Sequence, residues 1–378
     1  MSTSALYRRA REAKAWLTSA CFPLWRAEGV DGGLFREALD LQARASDGDT
    51  TRVRVQARQA YVYCEAARLG WEPEAAETLA ALGLDALLEQ ARRPDGLFGR
   101  RLHADGSGLA EETADLYDTA FCLHAFAHAA MQFPNLRARC QTAADATLAA
   151  VDKELADPTG GYAEAKPRPA HRLQNPHMHF LESCLALHAA FPDKGHLDRA
   201  LAIKALARER FIDPETGALL EYFEPDWRRA EGDKGDVVEP GHQFEWVWLL
   251  DRCAAMAGEA LAPEAERLYE IGVRSLDEDG RAIMAINRAG DVVDGSRRTW
   301  VQTEALKAHL AMWARGDETA GARAMQAFDV LMDEYLTPEG GWIDHYDADG
   351  GVLAADMPAS TGYHVVLALA ELIDRTTG

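Results

Sequence analysis

The chain has 378 residues, 48% of them apolar, enough for one large core. Its 40 basic and 61 acidic residues give a formal net charge of −21, which argues against nucleic acid and anionic membrane surfaces as partners. No apolar run of about 20 residues is present to span a bilayer, residues 1–9 lack the apolar stretch of a secretory signal, and Cys21, Cys64, Cys122, Cys140, Cys184 and Cys253 form no CxxC pair or zinc-like spacing. A single domain over residues 1–378, in a reducing cytoplasmic setting, is the expectation.

Along the chain, apolar residues recur at i, i+3 and i+4 in segments 57–69, 116–131, 180–191, 245–256, 301–315 and 363–373, the helical period. Six glycine-centred turns punctuate the sequence: Gly32-Gly33, Gly96, Gly160-Gly161, Gly217, Gly280 and Gly340-Gly341. Successive turns lie about 57 to 64 residues apart. A repeat of that length holds two ordinary helices and their loops. Six helix pairs predict an all-α fold, a closed (α/α)6 barrel of twelve helices around one central pocket. The glycines are expected to supply positive-φ corners beside that pocket. Short strand-like pieces are expected at 219–223 and 342–346.

Polar residues gather at the starts of the apolar runs, where six first turns would converge on one mouth. The first cluster holds Arg52, then Gln56-Ala57-Arg58-Gln59; an arginine fork can hold a hydroxyl or an oxyanion. The second is Asp115-Leu116-Tyr117-Asp118, in which an aspartate caps the helix and Tyr117 is available to a sugar. In Asn175-Pro176-His177-Met178-His179 the two histidines are at i and i+2 and face apart. One of them is expected in the pocket and the other in support of a turn. Asn175 offers donor and acceptor together.

In Pro240-Gly241-His242-Gln243-Phe244-Glu245-Trp246, His242 and Glu245 are three apart and share a face. Glu245 is therefore expected to raise the His242 pKa and fix its tautomer, as a proton-shuttling histidine needs. Trp300-Val301-Gln302-Thr303-Glu304 offers an apolar face in Trp300 and a carboxylate in Glu304. The sixth start, Ser360-Thr361-Gly362-Tyr363-His364, again places a histidine where a turn enters a helix. No set of His, Cys, Asp or Glu has a metal-ligand spacing along the chain.

Taken together, these segments resemble the N-acylglucosamine 2-epimerase family of sugar epimerases and isomerases. The segments from Arg52 to Arg58, Asp115 to Asp118, Asn175 to His179, Pro240 to Trp246, Trp300 to Glu304 and Tyr363-His364 appear in the family's order and cover nearly the whole chain. The resemblance implies an (α/α)6 barrel with a sugar pocket on its axis and no metal or redox cofactor. It implies His242 and His364 as the catalytic pair that moves the C2 proton through an enediol-type intermediate. It also implies Arg52, Tyr117, Asn175, His179, Glu245 and Glu304 as substrate-binding positions, and Trp300 joins them through its apolar face. The stretch before His364 contains no tryptophan and looks like the mannose isomerase branch.

The expected activity is therefore interconversion of D-mannose and D-fructose, or of related aldoses such as D-lyxose. A sugar 2-epimerase acting on mannose/glucose, N-acylglucosamine or cellobiose uses the same two histidines and is the alternative. A glycoside hydrolase built on Asp115 or Asp118 with Glu245, and a non-catalytic sugar-binding module, are further classes. The expected partner is a small sugar, and the chain is expected as a monomer or homodimer.

Overall fold

A computed structural model describes residues 2–377. Among these, thirteen α-helices form the fold. They are α1 (Ser2–Trp16), a short α2 (Phe22–Glu28), α3 (Val53–Arg68), α4 (Pro73–Asp85), α5 (Leu116–Gln132), α6 (Arg137–Glu154) and α7 (Asn175–Ala190). The rest are α8 (His196–Leu206), α9 (Pro240–Ala257), α10 (Pro263–Arg274), α11 (Thr299–Ala314), α12 (Glu318–Val330) and α13 (Thr361–Thr377). Helices α3, α5, α7, α9, α11 and α13 form an inner ring, each packed on the next, and α13 closes on α3. Outer helices α4, α6, α8, α10 and α12 each pack on the inner helix that precedes them. The predicted twelve-helix (α/α)6 barrel is thus present, with the short α2 added.

One pair departs from sequence order. The outer partner of α13 is α1, so the two ends of the chain meet and the sixth hairpin is assembled from both. Inner helices are buried on nearly every side, because each meets two ring neighbours, an outer helix and the axis. Five of the six also begin earlier than the apolar period indicates, and α5 begins with it at Leu116. Helix α7 starts at Asn175 and α9 at Pro240, with Pro176 and Pro240 in the first turn, where the missing N–H costs nothing. Most residues of the polar clusters consequently sit inside the helices, while Arg52 and Asp115 immediately precede α3 and α5.

The residues just before each inner helix are extended and pair with a strand in the following repeat. Thr50–Arg52 pairs with Arg101–His103, Ala114–Asp115 with Ala165–Lys166, and Arg172–Leu173 with Tyr222–Phe223. Val237–Val238 pairs with Ala285–Asn287, and Arg297–Arg298 with His345–Tyr346. Met357–Pro358 then pairs with Ala38–Leu39 and closes the circle. Six antiparallel ladders therefore belt the mouth of the barrel. The strand-like pieces expected at 219–223 and 342–346 supply two of these partners, Tyr222–Phe223 and His345–Tyr346.

All six glycine turns contain a residue with positive φ, from 54° at Gly32 to 101° at Gly160 and Gly340. Their expected position beside the pocket is corrected. None lines the axial cavity, and five of the six abut the next outer helix or its continuation. A Cβ at Gly217 would lie 2.6 Å from Arg267 Cγ, and one at Gly280 2.8 Å from Gln326 Cδ. At Gly340, where φ is 101°, it would meet the backbone of Ala20 and Cys21. These glycines let repeats approach one another; they do not shape the substrate site.

Glutamines in the motifs tie those turns to the inner ring. Gln56 Oε1 accepts from the Phe35 N–H at 2.8 Å, and Gln243 Oε1 accepts from the Leu219 N–H at 2.9 Å. Gln302 Oε1 accepts from the Ala282 N–H at 3.1 Å while its Nε2 donates to the Gly280 carbonyl at 3.1 Å. His177 does the same work in the third repeat, accepting from the Tyr162 N–H at 3.1 Å. Replacing Gln302 by Leu should leave the buried Ala282 N–H without its partner and remove a donor from the Gly280 carbonyl. The expected loss is roughly 2 kcal/mol, within the range of one to three for an orphaned buried group. A urea midpoint that does not move would show that this clamp contributes nothing.

Candidate active site

The belted mouth opens into a cavity of about 270 Å³ on the barrel axis, at the low end for small-molecule sites. It is lined by Arg52, Arg54, Arg58, Tyr117, Asn175, His179, Glu239, His242, Glu245, Met284, Arg298, Trp300, Asp344, Ser360, Thr361 and His364. Eight of the nine site residues expected from sequence line it. Glu304 does not.

His242 and His364 face the cavity from α9 and α13, 4% and 7% exposed. Trp300 stands beside both, with ring centroids 5.1 Å from His242 and 6.0 Å from His364. The indole reaches this place because position 241 is glycine; a Cβ there would lie 2.5 Å from Trp300 Cη2.

The two histidines are held in opposite states. Burial opposes charge on His242, but the carboxylates of Glu221 and Glu239 outweigh it and raise the pKa to about 10. Glu221 Oε2 is 2.9 Å and Glu239 Oε2 3.4 Å from Nδ1. Asn175 Nδ2 lies 3.3 Å from Nε2, and an imidazolium there pairs with this amide only when it is turned so that its oxygen accepts. Glu245, the carboxylate expected to fix His242, does raise its pKa but less than Glu221 and Glu239, and its expected place as the ring's partner is corrected. Glu221, on the loop ahead of Tyr222, holds Nδ1, while Glu245 lies nearest His179, 3.8 Å from its Nδ1. Sequence separation hid Glu221, which stands 21 positions before His242.

His364 is pushed well below the usual imidazole range, first by burial and then by the cations of Arg58 and Lys307. It is neutral at physiological pH. Glu304 Oε1 is 2.9 Å from its Nδ1, which leaves Nε2 open to the cavity. Glu304 is completely buried; it backs the histidine and cannot reach a sugar, which corrects its expected role.

Arg52 is at the rim, tied to Glu37 and donating to Ser360 Oγ at 3.1 Å. The arginine at depth is Arg58, 4% exposed, which donates to Tyr117 Oη at 2.8 Å and to the Ser360 carbonyl at 3.1 Å. Its guanidinium lies 4.0 Å from the Phe121 ring centre and 4.9 Å from that of Tyr363. No carboxylate pairs with it among the described residues, so an oxyanion in the cavity would be its counter-charge. Arg58 stands in the first motif, yet only tertiary packing separates it from Arg52.

His179 faces the cavity and His177 supports the turn, as the i, i+2 spacing indicates. His179 Nδ1 is 3.0 Å from Glu182 Oε2, and burial holds its pKa near 4. Glu245 is buried without a hydrogen-bond partner and, chiefly through that burial, its pKa is pushed well above the carboxylate range. Burial thus favours its protonated form, in which it can both donate and accept. Asp115 caps α5, accepting from the Asp118 N–H at 2.6 Å, and Asp118 is paired with Arg54 at 2.6 Å. Neither aspartate lines the cavity, so no inverting carboxylate pair of the glycosidase kind is built with Glu245.

Two side-chain groups bring ligand-type atoms within 4.8 Å of one another: His179 with Glu182 and Glu245, and Glu221 with Glu239 and His242. Linear spacing did not reveal them because the third member of each, Glu245 or Glu221, comes from a different element. In each group a carboxylate already lies within about 3 Å of the histidine Nδ1.

A neutral and a protonated imidazole sharing one small polar cavity are an acid–base pair, and an (α/α)6 barrel carries them. Residues 33–368 match the model of the N-acylglucosamine 2-epimerase (GlcNAc 2-epimerase) family, and the chain belongs to that family. It is 37% identical over 383 residues to a protein named mannose-6-phosphate isomerase from Rhizobium meliloti (strain 1021), with 98% of each chain covered. It is 27% identical over 208 residues to a cellobiose 2-epimerase from Bacteroides fragilis, covering 53% of this chain and 51% of that one. A crystal structure of D-mannose isomerase superposes with a TM-score of 0.85 at 20% identity, covering 98% of this chain and 97% of the other. The protein is accordingly a carbohydrate isomerase or epimerase. No helix among the described residues is long and apolar enough to cross a membrane.

The His242 environment gives a signed pH prediction. Its raised pKa keeps it protonated until pH approaches 10. Glu221→Gln removes the anion nearest Nδ1, so the pKa should fall. The alkaline limb of kcat/KM against pH, where the acid loses its proton, should move to lower pH. Glu245 raises the His242 pKa least of the three acidic residues that do so, and Glu245→Gln should move that limb far less. A profile indifferent to Glu221→Gln would show that His242 is not the acid titrated there.

Proposed function

We propose that the protein is an aldose–ketose isomerase that interconverts D-mannose and D-fructose, and acts on related aldoses such as D-lyxose, with no metal or redox cofactor. The observation that supports this reading is the opposite protonation of the two cavity histidines. The open-chain aldose carries a C2 proton made acidic by the C1 carbonyl. His364 Nε2 takes that proton while the His242 imidazolium protonates O1, and the C2–H electrons become the C1–C2 double bond of an enediol. His242 then removes the O2 proton, and His364 returns its own to C1, which yields the ketose. Arg58 faces the oxygens as negative charge develops. Trp300, Tyr117, Asn175, His179 and Glu245 hold the sugar, with Arg52 at the entrance.

An uncharged sugar fits this cavity better than a phosphorylated one. Three of the four lining arginines are already neutralised: Arg52 by Glu37, Arg54 by Asp118 and Arg298 by Asp344. The fourth, Arg58, lies deep beside the reacting end. We expect kcat/KM for mannose to exceed that for mannose 6-phosphate by at least about tenfold, the equivalent of 1.4 kcal/mol. The reverse preference would identify the phosphorylated hexose as substrate, in keeping with the name of the Rhizobium meliloti relative.

The similarity to a cellobiose 2-epimerase supports a second reading, in which His242 delivers a proton to the opposite face of C2. NMR of the protein with mannose in heavy water separates the two. Fructose as product supports the isomerase, whereas glucose deuterated at C2 supports the epimerase. His364→Ala should lower turnover by about 10² to 10⁴, the value of a general base. Near-wild-type turnover in a folded His364→Ala protein would remove His364 from the mechanism.

A further inference from the structure

Lys307 is a buried cation that the reaction scheme does not use, and it has no exposed surface. It lies on α11 one turn after Glu304, and its ammonium is 2.6 Å from Glu304 Oε2. The other oxygen of the same carboxyl, Oε1, is the one 2.9 Å from His364 Nδ1. The ammonium also rests 4.1 Å from the ring centre of Trp248 on α9. Lysine is the residue least often found completely buried, and removing its charge from water costs several kcal/mol unless a partner compensates. A packing role alone would be filled by methionine or leucine at lower cost.

We propose that Lys307 is a positioning residue that sets the tautomer of His364 through Glu304. This rests on the reading of His364 as the base. A carboxylate at Oε1 accepts only, so the single proton of the neutral imidazole stays on Nδ1 and the lone pair on Nε2 faces the substrate. A protonated Glu304 would instead present an O–H. Donation of that O–H to Nδ1 puts the ring proton on Nε2, and the base is lost with no atom moved from its place. Burial drives Glu304 toward the protonated form, and Lys307 is the largest force against it. The other charged or titratable groups near this relay are Glu182 and His179 from α7, Glu245 from α9, Arg58 from α3 and Tyr363 from α13. None of these is a cation in contact with Glu304, so the ionised state depends on Lys307.

The test uses the full chain with ¹⁵N-labelled histidine, the His364 signals being assigned by their loss in His364→Gln. Wild-type protein should show the proton on Nδ1 and a lone pair on Nε2. Lys307→Met should show the reverse, with kcat lower by about 10² or more and KM within about threefold, because the sugar contacts are intact. An unchanged tautomer in Lys307→Met overturns the inference. A tautomer that switches while turnover is kept supports control of the ring by Lys307 and removes His364 as the base, so the two failures are distinct.

If Lys307→Met does not fold, the comparison moves to Glu304→Gln with and without Lys307→Met, where the pair variant buries no unpaired charge at this position. Acting only through Glu304, Lys307→Met should cause no further loss in that background. A further tenfold fall in kcat would show that Lys307 acts elsewhere and would overturn the inference.

Discussion

The structure depends on closing a ring of six inner helices whose first turns all face one axis. Helices alone do not hold that arrangement, since parallel cylinders packed side by side can slide along their axes. The extended residues ahead of each inner helix prevent the slide. Each pairs with the repeat that follows, and Met357–Pro358 pairs with Ala38–Leu39 to close the belt. Backbone hydrogen bonds have a register, so the belt fixes the height of every first turn relative to the next. The residues that line the cavity are therefore placed by main-chain geometry, and their side-chain rotamers only refine it. The same closure explains why α1 serves as the outer partner of α13.

Within the ring, the chemistry follows from how buried charge is compensated. His242 and His364 are both buried imidazoles, and burial alone would make both neutral. They differ in their surroundings. Two carboxylates contact the Nδ1 side of His242, whereas His364 faces the cations of Arg58 and Lys307 across one carboxylate. One ring is thereby kept as an acid and the other as a base in the same cavity. The carboxylates at the Nδ1 atoms, Glu221 of His242 and Glu304 of His364, do not line the cavity and so orient the rings without occupying space needed by the substrate.

Much of this was legible in the sequence. The glycine spacing and the helical period specify twelve barrel helices, because a helical repeat must bury one face and a turn must reverse the chain. The polar first turns mark where the cavity is, since a charged residue at the start of an otherwise apolar helix has to meet water, a partner or a ligand. The i, i+2 spacing of His177 and His179 assigns one to a turn and one to the cavity, and both are found there. Residues such as Gln56, Gln243 and Gln302 stand in the same motifs for another reason: they saturate the backbone of neighbouring turns.

What only tertiary structure decided is who partners whom. Glu245 shares a helical face with His242, yet Glu221 reaches the ring first, from a loop that the belt brings across. Arg52 and Arg58 are six residues apart on one segment, and only the ring places one at the rim with Glu37 and the other at depth against Phe121 and Tyr363. The glycines look like pocket corners in one dimension and prove to be contacts between repeats. Local propensity acts over a few residues, and the sequence by itself therefore determined the elements and the end of the barrel at which polar groups collect. Electrostatic partnership depends on distances of about 3 Å between groups far apart in the chain, and those distances exist only once the ring is closed.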